Sequence, residues 1–136
     1  MTLIQYVATY LLSVPVFFAI DMVWLGFVAR TFYQSRLGHL LSESVNWPVA
    51  ISFYLIFLVG LLIFAIAPAL SVGDGQRALI YGALFGFFTY ATYDLTNWST
   101  LREWPASVAV VDMVWGTVLS ASVAYLTYLL AKAFVV

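Results

Sequence analysis

Cysteine is absent from the 136-residue chain. That excludes disulfides, thiolate nucleophiles, iron–sulfur ligation and lipid attachment through sulfur. Charge is nearly as scarce. Asp, Glu, Lys and Arg together make 8% of the residues, against about 25% in a soluble domain. Five basic and six acidic side chains leave a net charge of −1, so no electrostatic footprint points to nucleic acid. His39 is the single histidine; metal sites need several suitable ligands, so it reads as an interfacial residue rather than a ligand. No Gly-rich phosphate loop, serine-hydrolase motif or HExxH string occurs. No residue pattern implies a cofactor or a bound metal.

What remains is apolar. Hydrophobic residues make 65% of the chain, the composition of an integral membrane protein. Spanning about 30 Å of hydrocarbon takes about 20 helical residues, and four stretches suffice. The first runs from about Leu3 to Ala29, with Pro15 inside it. It lacks a basic leader segment and is interrupted by Asp21, so it is expected to be retained as a spanning helix. The second starts at Pro48 after the capping residue Asn46 and is expected to end near Ala67, before Pro68. The third covers about Arg77 to Trp98. The fourth covers about Pro105 to Lys132. Ser71-Val72-Gly73-Asp74-Gly75 and the Ser99–Trp104 link are turn sequences. Such short links make successive helices antiparallel neighbours.

The connection from Arg30 to Glu43 differs. Phe32, Tyr33, Arg36, Leu37, Leu40 and Leu41 recur at helical spacing, which predicts a short amphipathic helix in the membrane interface. Residues 1–136 therefore read as one all-α domain: a four-helix transmembrane bundle with an interfacial helix between helices one and two. Arg30, Arg36 and Arg102 on one side nearly balance Arg77, Lys132 and the amino terminus on the other, so the positive-inside rule does not orient it.

Three of the six acids fall inside predicted spans: Asp21, Asp94 and Asp112. A carboxylate at a helix centre costs roughly 2.5–3.5 kcal/mol on insertion scales, and such residues usually mark a site or pathway. Asp21 lies nine residues before Arg30, Asp94 eight before Arg102, and Asp112 seven after Pro105. At 1.5 Å per residue these are ~13, ~12 and ~10 Å from the same membrane face. All three are thus expected at one level. Asp21 and Asp112 each open an Asp-Met-Val-Trp string, ending at Trp24 and Trp115. Tyr90, Asp94, Asn97 and Trp98 share one helix face. Gly82 and Gly86 on helix three, and Gly116 with Ser120 on helix four, have the small-xxx-small spacing that lets helices approach closely. Helix two reads as a wall without ionisable groups.

The expected site is a chamber between helices one, three and four, lined by Asp21, Asp94, Asp112, Asn97, Trp24, Trp98, Trp115 and Tyr90. Asp94 is its expected centre. Neighbouring carboxylates cannot all ionise cheaply, so at least one should hold a proton if they are close. The cluster could instead bind a cation or pair with Arg30 or Arg102 folding inward.

Tyr90-Ala91-Thr92-Tyr93-Asp94-Leu95-Thr96-Asn97, with Thr100-Leu101, Trp104-Pro105, Asp112, Trp115-Gly116, Asp21, Trp24-Leu25-Gly26, Phe32-Tyr33 and Leu37-Gly38, resembles domain-of-unknown-function family 2177, a group of small bacterial predicted membrane proteins. The resemblance implies four spanning helices across nearly the whole chain and supplies no catalytic residues.

The functional expectation is a multi-pass protein of the bacterial inner membrane that binds or transports protons or a small cationic substrate. Its partners are the lipid bilayer, that ligand, and a second copy in a homodimer that would enlarge the cavity. The alternatives are a membrane-embedded lipid-modifying or lipid-binding enzyme and an accessory subunit whose aspartates only join helices.

Overall fold

A computed structural model describes residues 1–136, except for the side chain of Val28, and every regular element in it is helical. Thr2 caps the first helix, α1 (Leu3–Val23): its hydroxyl accepts from the Gln5 amide, and the Gln5 side chain accepts from the Thr2 amide. This reciprocal box satisfies two donors that a helix start leaves unpaired. Pro15 lies within α1, which continues through it. At Trp24 the helix widens into a π turn, Trp24–Val28, closed by Ala29 N–H donating to Trp24 C=O at 2.8 Å. Single π turns of this kind concentrate at functional sites.

The interfacial helix is shorter than its periodicity predicts. α2 spans Arg30–Leu37 and stops at Gly38, a residue of low helix propensity. Leu40 and Leu41 then donate their amides to Leu37 C=O and lie exposed, so the expected face is not continued to Glu43. Phe32, Tyr33 and Leu37 pack instead against Trp104, Val108 and Ala109 at the start of the last helix. Arg36 Nε donates to Ser107 Oγ at 3.0 Å. α2 is therefore docked on the bundle.

The second predicted span continues past Pro68. α3 (Trp47–Leu61) passes through a π turn, Leu62–Ile66, into α4 (Ala67–Val72). The wider register of that turn lets the chain absorb a proline, which has no N–H to give a helical bond. Gly73, at φ 70°, ends α4, and Asp74 caps α5 (Gly75–Thr100) through its Oδ1. α6 (Ala106–Phe134) completes the chain.

Three helical runs, Leu3–Phe27, Trp47–Val72 and Ala106–Phe134, are both long and apolar enough to cross a bilayer. α5 has the length, 26 residues, but is less apolar, with polar side chains at both ends and through Tyr90 to Asn97. α5 packs closely along α6. A Cβ on Gly82 would sit 2.7 Å from the Ala124 Cβ, and one on Gly86 would strike Gly116 C=O and the Ser120 side chain. The small-residue spacing read from the sequence is a notch that seats α6. The apolar centre is built from Phe17, Phe57, Leu58, Leu61, Leu119 and Val123.

Candidate functional site

Asp21 and Trp24 occupy the last turn of α1 and the π turn after it; Asp112 and Trp115 lie one turn apart in the first half of α6. The two indoles stack face to face, with centroids 4.3 Å apart and planes 7° from parallel. Their polar edges point to opposite partners. The Trp115 side chain lies beside the Asp21 carboxylate. Trp24 Nε1 donates to the Tyr33 hydroxyl at 3.4 Å, and that hydroxyl donates to Asp112 Oδ1 at 2.5 Å. Trp24 thus reaches the aspartate of the other string through Tyr33, and Trp115 lies next to the aspartate of the first.

Asp112 is the neighbour common to the other two acids. Its charge acts on Asp21, and its carboxyl is within hydrogen-bonding reach of Asp94. Asp94 is wholly buried, and neither of its oxygens has a donor. Asp21 is 4% exposed. Of the three acids, Asp112 is the one that neighbours both others. Tyr90 lies under the same group, its ring filling the space that a side chain at Gly116 would need.

Two expected participants sit differently. Trp98 is 47% exposed and, with Leu95 and Ser99, borders a surface hollow on the outer side of α5. Asn97 is half-buried and reaches the Tyr93 hydroxyl. Arg30 and Arg102 are exposed rather than folded inward. Among the described residues, the one ion pair joins His39 and Glu103 at 3.6 Å, at the end where α2 meets the α5–α6 link. No three His, Asp or Glu side chains among the described residues are placed to hold a metal ion.

Two tyrosines complete the site. Tyr54 on α3 is within hydrogen-bonding reach of Asp21 and feels the charge of Asp112, so the second span is not a plain wall. Its signal in the sequence is faint: one hydroxyl-bearing ring among Phe53, Leu55, Ile56 and Phe57. Tyr33 was legible as part of an amphipathic face, but its partner lies 79 residues away. Burial, then the Asp112 carboxylate, push the Tyr33 phenol above its ordinary range, so it stays a hydroxyl that can donate. Beside the stacked indoles an apolar groove of about 420 Å³, bordered by Ala19, Ile20 and Val23, opens on the outer surface.

The arrangement is an acid cluster with phenol and indole donors, set among helices of membrane-spanning character. No curated protein and no solved structure gives a significant match to the chain. Residues 6–129 match one family, described as "Predicted membrane protein (DUF2177)", and the chain belongs to it, a multi-pass membrane protein by its family and its apolar helices.

Proposed function

We infer that this protein, a single domain of four crossings in the bacterial inner membrane, binds and passes protons or a small cationic substrate at the Asp21–Asp112–Asp94 site. One observation carries the reading: Asp21 and Asp94, from two other helices, both neighbour Asp112, with no Lys or Arg beside them among the described residues. Burying carboxylates in an apolar surround is costly unless positive charge accompanies them. A proton or a cation meets that need, and the reading makes Asp112 the hub, with Asp94 and Asp21 as its partners. The fourth crossing is α5, seated in its notch along α6. A second copy of the chain would enlarge the small volume that four helices enclose.

Reconstituted vesicles with a trapped pH dye test this. Under an imposed membrane potential, the wild-type chain should acidify the lumen faster than empty vesicles. Asp94→Asn and Asp112→Asn should abolish the difference while the helical circular dichroism persists. Equal rates for protein-bearing and empty vesicles, with protons and with a small organic cation such as tetramethylammonium, would remove the carrier reading.

The groove beside Trp24 and Trp115 favours a second reading, a lipid-binding or lipid-modifying protein whose acyl chain lies against Ala19, Ile20 and Val23. Comparative mass spectrometry of lipids from deletion and overexpression strains tests it. Identical lipid profiles would dismiss it.

A further inference from the structure

Donors are shared unequally among the three acids. Asp21 has the Trp115 indole and the Tyr54 hydroxyl within reach. Asp112 Oδ1 accepts from Tyr33. Asp94 accepts from nothing, although its exposure is 0%. What its carboxyl does face is the carboxyl of Asp112. Ionised carboxylates are acceptors only. Two of them at that range repel, unless a proton sits between them.

We propose that Asp94 and Asp112 are a proton-sharing pair, in which the Asp94 carboxyl carries the proton and donates it to Asp112, while Asp21 is a separate carboxylate. The assignment follows from the donors. Tyr33 donates to Asp112 and so favours negative charge there, while Asp21 has the polar Trp115 and Tyr54 side chains beside it. Nothing does so for Asp94, so it is the member that gains most from staying neutral. The groups that face the pair are Asp21 from α1, Tyr33 from α2, Tyr54 from α3, and Tyr90 and Tyr93 from α5. All are acids or phenols, so no side-chain cation offsets a second negative charge.

The pair deepens the proton reading of the site and rests on it for its purpose, though not for its chemistry. Its closing experiment is therefore spectroscopic rather than a transport assay. Infrared spectra of the protein in lipid nanodiscs at neutral pH should contain the C=O stretch of a buried, hydrogen-bonded carboxylic acid. Asp94→Asn should remove that band. Asp21→Asn should leave it. Tyr33→Phe should shift it, because Asp112 becomes a different acceptor. If Asp94→Asn does not fold, Asp112→Asn serves in its place: the band should persist at a shifted frequency, since Asp94 still carries the proton. Absence of the band from folded wild-type protein would overturn the proposal, as would a band lost in Asp21→Asn or one unmoved by Asp112→Asn. A band without proton flux leaves the pair standing and removes the carrier reading. Flux without the band does the reverse.

Discussion

Trp24 and Trp115 lie with their ring planes 7° apart and their centroids 4.3 Å apart, joining the ends of the two Asp-Met-Val-Trp strings. The stack holds the end of α1 against α6 and connects Trp24 to the acid of the opposite string by way of Tyr33. Aromatic pairs of this geometry contribute about 0.5–1.5 kcal/mol beyond the area they bury. A double-mutant cycle with Trp24→Leu and Trp115→Leu should return a coupling in that range. Unfolding in mixed micelles followed by circular dichroism measures it, and strictly additive losses would contradict the coupling.

Tyr33→Phe removes one hydroxyl that serves two partners, Asp112 and Trp24. Asp112 then loses its phenol donor, and a hydrogen bond to a charged group is worth about 1.5–3 kcal/mol. The variant should unfold at visibly lower denaturant while keeping its helical content. Tyr81→Phe, on the exposed face of α5, should not change the midpoint.

The notch between α5 and α6 admits no side chain. Gly86→Ala would drive a methyl into the backbone of Gly116 and the side chain of Ser120. Overpacking of this kind costs about 1–3 kcal/mol. Gly26→Ala is the matched control, because a Cβ there meets nothing within 4 Å. It should be neutral or slightly stabilising, since alanine is the better helix former. Melting midpoints of the two variants should therefore move apart.

Among the described residues, Glu103 is the only non-glycine residue with positive φ, at 60°. Left-handed backbone costs an ordinary L-residue roughly 1–2 kcal/mol, which glycine does not incur. Its ion pair with His39 is exposed on both sides, and such pairs contribute little. Glu103→Gly should raise the unfolding midpoint in micelles. A lowered midpoint would mean that the contact with His39 outweighs the backbone strain.

A chain without cysteine suits topology mapping by single-cysteine labelling. If α5 crosses the bilayer as the other three runs do, Thr2→Cys and Ser71→Cys should react with a membrane-impermeant maleimide from one side. Ser35→Cys and Ser99→Cys should react from the other. Ser71 and Ser99 reacting from the same side would reduce the count of crossings.

Much of the fold was readable because its causes are local. Apolar runs of membrane length, the Asn46 cap, the turn around Gly73 and the small-residue spacing on α5 and α6 all act within a few residues. The extension of α3 past Pro68 was not readable, because a π turn has no sequence signature as strong as the proline that ordinarily ends a helix. The shortened α2 was misread for a related reason: periodicity ran on through Gly38, while the chain turned there.

Composition and spacing alone determined that this chain belongs in a bilayer and that its elements are helices; burial energies and the 1.5 Å rise per residue decide those things without knowledge of neighbours. Only the packed structure decided how the helices rotate about their axes. That rotation turns Trp98 outward, brings Tyr33 and Tyr54 to acids on other helices, and puts Asp112 beside both other acids. A side chain's direction around a helix is set by the partner it packs against, and that partner lies tens of residues away in sequence.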